Sequence, residues 1–393
     1  MTQNRPFEQT EYDTRLAATR KRMAAAGLDL LVITDPANMN YISGYDGWSF
    51  YTPQCLVVAL DGGQPIWIGR GIDAGGARVT TFLDADNIVP YSDDYVQAEG
   101  RHPMDYTAEV LVARGLGRGV IGLEMDSYYF SPMAYEALKA GLPEGTFKDS
   151  GQLVNWVRSI KSSAEIEMMR KAAQLVEIAM RAGIDAIEPG VRQCDAVATI
   201  YQAQIAGHPD FGGDYTSLVP MLPTGVGTST PHLTWSDDVF VSGEATILEI
   251  AGAHRHYHCP MSRTVFLGTP PTKLTDTAKV VVEGLSAALD FAKPGVTCGE
   301  VEAVWRTTVA KYGLVKDSRI GYSTGLNYPP DWGEHTMSLR PGDDSVVQVD
   351  MTFHMIPGIW KDDWGIEISE CFHVTEQGAR PFCAFPRELT VKT

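Results

Sequence analysis

The first part of the chain alternates one amphipathic helix with short apolar strands. Apolar residues at helical spacing predict a helix over about 8–26, which ends at Gly27, a residue type common at helix C-termini. Directly after it, the apolar run at 30–33 predicts a buried strand. Further apolar runs predict strands at 55–60, 65–68 and 120–124, the first two joined as a hairpin by a Gly-rich turn. The pattern indicates a strand-rich α/β unit.

Near residue 155 the pattern changes to a long helix. Ser162 or Ser163 can cap its start, with Glu165 in the first turn, and apolar residues then recur at helical spacing until the break at Pro189-Gly190. We therefore predict two domains, residues 1–155 and 156–393.

The second domain mixes helices with strands that form antiparallel hairpins. Runs of this kind, without regular βαβ units, are typical of an α+β fold. The predicted helices are 162–187, 193–206, 274–292 and 298–312, and the predicted strands are 246–251, 256–267, 346–355 and 366–374.

Composition narrows the class of protein. The 393 residues are 44% hydrophobic, and no apolar run is long enough to span a membrane. The polar N-terminus does not resemble a secretion signal, and the six cysteines are scattered, so we expect a cytoplasmic protein with reduced thiols. A formal charge of −17 argues against nucleic-acid binding, and it serves solubility or favours cationic and zwitterionic ligands.

Three histidines offer one possible metal site. His254, His256 and His258 alternate along a predicted strand, next to Cys259. Alternation would place the three imidazoles on one face, where neutral histidines can bind zinc. The other interpretation is a polar or substrate-facing set of histidines without a metal.

A series of ordered landmarks resembles the creatinase/prolidase-like, or pita-bread, family. The resemblance covers nearly the whole chain and implies a pita-bread C-terminal domain preceded by a smaller α/β creatinase-type N-terminal domain. The landmarks are Y-I-S-G at 41–44, I-K-S-S-A-E-I-E at 160–167, P-H at 231–232, S-R-T-V-F-L-G at 262–268, G-Y-S-T-G-L at 321–326, P-G-I-W at 357–360 and V-T-E-Q-G at 374–378.

This resemblance also implies that the family's metal ligands are missing. Metal-dependent members use two Asp, one His and two Glu, and those positions here hold Glu249, Pro260, Tyr322, Ile356 and Ser369. Proline and isoleucine have no side-chain donor, and neutral hydroxyls are poor ligands for divalent ions. We therefore expect no metal and no other cofactor.

Two residues remain as candidates for catalysis. Glu249 is the only acid left in the former ligand set, and His232 belongs to the Pro-His motif, whose histidine moves protons in metal-free members of the family. A carboxylate and an imidazole that face one substrate can act as nucleophile or base and as general acid. The alternative is a degenerate site that is retained for folding alone.

Polar and aromatic residues fill the loops that carry the family's site. A decaying site would be expected to gain apolar packing, because buried unpaired charges are costly. We therefore predict an enzyme. The candidate substrate-binding residues are Tyr322, Asp331, Trp332, His335, His354, Trp360, Asp363, Glu367 and Glu370, with Glu334 and Trp364 in the same loops.

An aromatic loop in the first domain supplies three more candidates. Asp46, Trp48 and Tyr51 lie in a stretch that, in creatinase-like dimers, reaches into the partner's pocket. The resemblance therefore implies a homodimer in which this loop contacts substrate. The alternative is a surface turn with buried aromatic residues.

Three segments resemble one subgroup more narrowly, the hydrolases of ectoine and 5-hydroxyectoine. They are Y-D-G-W-S-F-Y at 45–51, 248–264 and P-P-D-W-G-E-H at 329–335. The resemblance implies a small zwitterionic substrate, a cyclic amidine opened to N-acetyl-2,4-diaminobutyrate. Such an amidinium is already electrophilic and needs no metal to polarise it. The alternatives are a creatinase-type amidinohydrolase, a Xaa-Pro metallopeptidase and a binding protein without turnover.

Overall fold

A computed structural model describes residues 5–393 of the chain. The chain forms two compact units, the first ending at Arg158 and the second beginning at Ser159. In the described residues, no helix has both the length and the apolar composition that a membrane crossing requires.

The first unit is built on a six-stranded mixed sheet in the order β4-β3-β2-β1-β5-β6. The predicted hairpin is confirmed, since β2 and β3 pair antiparallel, while β1 pairs parallel with β5. The strands are β1 Leu30–Ile33, β2 Cys55–Ala59, β3 Ile66–Arg70, β4 Ile88–Tyr91, β5 Gly119–Leu123 and β6 Gly145–Asp149.

Within the described residues, six α-helices accompany this sheet. The first ends as predicted at Gly27, which adopts φ 66° and donates its N–H to a carbonyl of the last turn. Buried side chains of α4 and α5 join those of the strands in one hydrophobic core. The helices are α1 Gln9–Ala26, α2 Pro36–Ser43, α3 Ala74–Thr80, α4 Pro103–Ala113, α5 Pro132–Gly141 and α6 Leu153–Arg158.

The second unit begins with the predicted long helix. Ser162 accepts a hydrogen bond from the Glu165 N–H, and the Glu165 side chain accepts one from the Ser162 N–H, so the expected capping box is present. The four helices are α7 Ser163–Ala186, α8 Gln193–Ala206, α9 Thr272–Phe291 and α10 Cys298–Ala310.

Two larger sheets complete the second unit and confirm the α+β class. One has the antiparallel order β10-β9-β11-β14-β15, the other the order β16-β8-β7, and β12 pairs with β13 alone. The strands are β7 Ala245–His254, β8 Tyr257–Leu267, β9 Gly321–Thr324, β10 Gly333–Leu339, β11 Thr352–Met355, β12 Ile359–Trp360, β13 Gly365–Ile366, β14 Glu370–Thr375, β15 Gly378–Pro381 and β16 Thr390–Lys392.

The predicted strand at 346–355 was wrong in its first part. Only Thr352–Met355 forms a continuous strand, β11, while Val346 and Met351 make isolated bridges to other segments. Asp350 adopts φ 67°, a left-handed conformation that interrupts extended structure just before the strand. Its carboxylate is hydrogen-bonded to His373, which stabilises this local bend.

The long hairpin of β7 and β8 packs closely against α7. At Gly252, an added Cβ would lie against the carbonyl oxygen of Ala172 and 2.5 Å from the backbone nitrogen of Val176. Backbone atoms of a helix cannot move aside as a flexible side chain can. Glycine at this position therefore lets the helix approach the strand that carries Glu249.

We predict that Gly252→Ala destabilises the protein by about 3 kcal/mol, because the new methyl group overlaps the α7 backbone. Chemical denaturation with circular dichroism measures the loss. Gly212→Ala is the control, since its added Cβ would meet only a carbonyl oxygen at an ordinary 3.5 Å. Equal stability of the two variants would contradict the close-packing argument.

Candidate active site

Glu249 lies in the middle of β7, with its side chain in the interior of the second unit. It is directly opposite Ser262 on β8, and its other neighbour is Met221, whose N–H and carbonyl both bond to the Glu249 backbone. The residue is only 6% exposed. The sheet therefore holds this carboxyl group in a fixed place away from bulk water.

A second carboxyl group, that of Glu367, lies in the same buried region. Glu367 is fully buried between β13 and β14, and neither carboxylate oxygen has a hydrogen-bond partner within the described residues. Burial raises the pKa of Glu367 to about 7, although the nearby Ser262 hydroxyl, which lies outside hydrogen-bond geometry, and the charge of Lys316 oppose the rise. Nothing in the described chain fully compensates its negative charge.

The two carboxyl groups disfavour each other's ionisation. Burial raises the pKa of Glu249 well above its ordinary value, and the charges of Glu367 and Asp331 raise it further. Two nearby carboxylates in a poorly solvated site cannot easily both be charged. Without a cation, the pair therefore retains a proton near neutral pH.

A chain of polar groups runs beside this pair. The Trp332 indole N–H donates to the Tyr322 hydroxyl at 2.7 Å, and that hydroxyl lies 3.0 Å from His354 Nδ1. His354 Nε2 is in turn 2.8 Å from the hydroxyl of Ser369, which accepts the Ser262 N–H. Burial lowers the pKa of His354 to about 3, so this imidazole is neutral. The neutral ring carries one proton, so one of its two nitrogens donates a hydrogen bond to its neighbouring hydroxyl and the other accepts one.

Asp331 and His335 form a second polar pair close to the carboxyl groups. His335 Nε2 lies 2.8 Å from one Asp331 oxygen, and the Gly333 N–H donates to the other. Burial pushes the pKa of Asp331 upwards, but these hydrogen bonds outweigh it and leave the pKa below its ordinary value. Asp331 is therefore charged at neutral pH, and its charge also acts on Glu249 and Tyr322.

One residue in this region was missed by sequence reasoning. Lys316 follows α10 in no recognisable motif, yet it is 8% exposed and its ammonium lies 4.0 Å from the centre of the Trp360 ring. Burial lowers the pKa of Lys316 to about 8, while Glu367 opposes the fall. Lys316 therefore covers one ring face of Trp360, a predicted substrate-binding residue, and leaves that face unable to stack on a substrate cation.

His232 lies in an exposed segment outside the regular strands. The next residue, Leu233, accepts a backbone hydrogen bond from Leu222. Met221, which directly precedes Leu222, pairs with the backbone of Glu249. Through these hydrogen bonds, Met221 and Leu222 link the backbone beside His232 to β7, the strand that carries Glu249. The structure shows no direct bond between the two side chains.

Two predicted substrate-binding residues have other partners. Asp363 is on an exposed turn, where it forms an ion pair with Lys273. Glu370 is buried, but its carboxylate is bound by Arg263 at 2.7 Å and Arg387 at 3.2 Å. Both acids are thus occupied by cations of the chain and are poorly placed to bind a substrate cation.

In the first unit, the aromatic loop is largely exposed. Trp48 is 56% and Tyr51 65% exposed, and Trp48 packs against Phe50 with ring centres 4.8 Å apart. The alternative of a surface turn with buried aromatic residues is therefore wrong for these two side chains. The backbone N–H of Asp46, the third candidate in the loop, donates a hydrogen bond to the Thr80 hydroxyl at 3.2 Å.

The three-histidine metal site is not formed. Arg255 and His256 both have positive φ and make the tight turn between β7 and β8, so His254, His256 and His258 do not alternate along one strand. His258 accepts the Ser217 N–H, and His256 stacks on Tyr328 with ring centres 4.3 Å apart. Across residues 5–393, no group of three or more His, Cys, Asp or Glu is placed to hold a metal ion.

Comparison with known families agrees with the architecture. Residues 167–376 match metallopeptidase family M24, and residues 15–160 match the creatinase/prolidase N-terminal domain. The chain belongs to metallopeptidase family M24. The M24 match lies in the second unit, which contains Glu249. The match to the creatinase/prolidase N-terminal domain lies almost entirely in the first unit.

Individual M24 relatives are similar over nearly their full length. The chain is 48% identical to the ectoine hydrolase of Halomonas elongata over 98% of both chains. It is 41% identical to an uncharacterized hydrolase/peptidase of Sinorhizobium fredii, again over 98% of both. Among solved structures, a prolidase from Thermococcus sibiricus superimposes with a TM-score of 0.84 over 98% of this chain and 100% of the other, at 18% identity. These similarities confirm the pita-bread fold.

The M24 name implies a pair of metal ions, but the residues at the expected ligand positions do not fit one. Pro260 and Ile356 offer no side-chain donor, and the hydroxyls of Tyr322 and Ser369 are joined to each other through His354. Glu249 is the one carboxylate among the five positions. A dinuclear centre needs several bridging or chelating carboxylates.

We predict that Glu367→Gln stabilises the protein at pH 8 by about 1–3 kcal/mol and abolishes most activity. The pKa of Glu367 is about 7 in the folded protein, above its ordinary value of 4.5, so its contribution to stability is lost as pH rises through 7. Removing the charge recovers that loss at pH 8 and changes little below pH 4.5. Thermal melting at both pH values measures the effect.

The matched control is Glu302→Gln. Glu302 is also buried, but its carboxylate is paired with Arg306, so its removal should not stabilise the protein at pH 8. If Glu367→Gln melts below the wild type at pH 8, the proposed uncompensated charge is wrong.

Proposed function

We propose that this protein hydrolyses the cyclic amidine ring of ectoine, and also that of 5-hydroxyectoine, to N-acetyl-2,4-diaminobutyrate. The 48% identity to an ectoine hydrolase over 98% of both chains supports the substrate. Membership of a family of hydrolases supports the reaction class. The substrate is a small zwitterion with an amidinium and a carboxylate.

The observation that carries the proposal is the pair of buried carboxyl groups, Glu249 and Glu367, that no cation of the described chain neutralises. Neither oxygen of Glu367 has a hydrogen-bond partner among residues 5–393, and the charge of Glu367 disfavours ionisation of Glu249. An amidinium supplies one positive charge and two N–H donors, which match a carboxylate well. A bound cation also favours the ionised form of both acids, because opposite charges stabilise each other.

In the first route that we propose, Glu249 is the nucleophile. A Glu249 oxygen attacks the carbon between the two ring nitrogens, and the bond from this carbon to one nitrogen breaks. His232 donates a proton to that departing nitrogen, which leaves the carbon as an acyl-type adduct on Glu249. Water, deprotonated by His232, then attacks the carbon, and the bond to Glu249 breaks to release the N-acetylated product.

In the second route, Glu249 is a general base. It removes a proton from a water molecule, whose oxygen adds to the amidine carbon and gives a tetrahedral intermediate. That intermediate loses one ring nitrogen as His232 protonates it. Both routes consume one water and give the same product, so they differ only in whether a bond to Glu249 forms.

The proposal does not use a metal. The amidinium carbon is already electron-poor, and the family's ligand positions here lack the donors for two ions. We further propose that the active form is a cytoplasmic homodimer in which the loop with Asp46, Trp48 and Tyr51 contacts substrate of the partner. The exposure of Trp48 and Tyr51 supports this part of the proposal.

Product analysis tests the function. We expect purified protein to open ectoine to N-acetyl-2,4-diaminobutyrate at an equal rate with and without a chelator, since no step uses a metal. Creatine, with urea as the product to detect, and a Xaa-Pro dipeptide with added manganese are the comparison substrates. Urea from creatine, or dipeptide cleavage that manganese restores, would support the alternatives, and binding of ectoine without turnover would indicate a binding protein.

We predict that Glu249→Gln reduces ectoine turnover by at least about a thousandfold, while His232→Ala reduces kcat by about a hundredfold. In the covalent route, His232→Ala also slows breakdown of the adduct. Intact-protein mass spectrometry of this variant with ectoine should then show a mass gain of one substrate that Glu249→Gln does not show.

The controls are Glu302→Gln for a buried acid and His208→Ala for a histidine outside the site, and both should retain activity. No mass gain under any condition would count against the covalent route and leave the general-base route. Full activity of Glu249→Gln would overturn both.

A further inference from the structure

In the part of the chain that the structure describes, Lys316 is a buried cation without an anionic contact. Its ammonium stacks over the Trp360 ring at 4.0 Å, and the residue is 8% exposed. By contrast, the buried Lys161 has the carboxylate of Glu334 at 2.7 Å. Within residues 5–393, no carboxylate forms such an ion pair with Lys316, and Glu367 acts on it only through its field. A desolvated ammonium normally requires an anionic partner.

Trp360 presents a second unused donor in the same place. Its indole nitrogen is buried and has no hydrogen-bond acceptor in the described part of the chain. A buried N–H without an acceptor costs free energy, so we expect an atom of a bound ligand to accept this hydrogen bond. The ammonium of Lys316 and the N–H of Trp360 together are a pair of donors that an anion can satisfy.

The neighbouring Glu367 has the opposite character. Both of its oxygens are buried acceptors that make no hydrogen bond to any described residue, and Lys316 lies close enough to oppose the rise of its pKa. The region thus has unused donors on one side and unused acceptors on the other. This arrangement is complementary to a small zwitterion whose anion and cation are separated by a few bonds.

We propose that Lys316, together with the Trp360 indole N–H, binds the carboxylate of the substrate while Glu367 binds its amidinium. This inference rests on the proposed function and adds a residue that determines specificity. Lys316 selects amidines that carry a carboxylate on the ring. It also fixes the ring's orientation, since the two charged ends of the substrate bind to different side chains.

A simpler role for Lys316 would be to moderate the charge of Glu367 alone. The two roles differ in one measurable way. If Lys316 acts only through Glu367, its removal affects every cyclic amidine to the same extent, because all of them bind through the amidinium. If Lys316 binds the carboxylate, its removal affects only substrates that have one.

The experiment compares ectoine with 2-methyl-1,4,5,6-tetrahydropyrimidine, the same ring without the carboxylate. We expect the wild type to prefer ectoine by about 10–100-fold in kcat/KM, the range for a buried charge-assisted contact. Lys316→Met should reduce this preference to within about threefold, mainly through a higher KM for ectoine. Lys316→Arg, which keeps the charge, should restore part of the preference.

Lys273→Met is the matched control. Lys273 also lies over a tryptophan ring, that of Trp364 at 5.2 Å, but it is exposed and paired with Asp363. Its loss should leave the preference unchanged. Thermal melting of each variant reports whether it is folded.

The outcomes separate the two proposals. If the wild type opens neither ring, the proposed function fails. If the wild type opens ectoine but folded Lys316→Met keeps the full preference, or loses activity on both rings equally, the assignment of Lys316 to the carboxylate is overturned and the proposed function stands.

Discussion

The repulsion between the buried carboxyl groups of Glu249 and Glu367 determines the chemistry available at this site. Burial removes both groups from water and raises the pKa of each, and the charge of Glu367 makes ionisation of Glu249 more costly still. The surrounding β7–β8 hairpin, held closely against α7 through Gly252, keeps them in place. Folding therefore maintains an electrostatically unfavourable pair, and a cationic ligand is the species that relieves it. Stability and ligand binding oppose each other here, as is common in active sites.

A chain of hydrogen bonds runs from Trp332 through Tyr322 and His354 to Ser369. Tyr322 and Ser369 occupy positions that hold metal ligands in metal-dependent relatives, and this chain gives their uncharged hydroxyls hydrogen-bond partners. Each hydroxyl and ring nitrogen in the chain finds a partner within the protein. Because burial lowers the pKa of His354, its ring is neutral and within this chain donates through one nitrogen and accepts through the other. The groups left to contact a substrate are carboxyl groups, and these suit an electrophile that is itself positively charged.

Lys316 and Trp360 add a positive charge and hydrogen-bond donors to a region whose other charged groups are acids. A site of acids alone would attract any cation, whereas in its proposed role the buried ammonium near them restricts the choice to ligands with both charges. The same lysine lowers the cost of ionising Glu367, so binding of one end of a zwitterion is linked electrostatically to binding of the other. Metal ions and simple amines lack the anionic group that would satisfy Lys316.

The sequence by itself determined the elements whose signals are local. Periodicity and the capping box at Ser162 located α7, the glycine at position 27 ended α1, and ordered motifs indicated the family and Glu249. Tertiary structure decided what depends on distant contacts. The turn at Arg255 and His256 separated three histidines that alternate in sequence, and Lys316, in no motif, became buried beside Trp360. Burial and charge coupling arise from residues far apart in the chain, so no local pattern could reveal them.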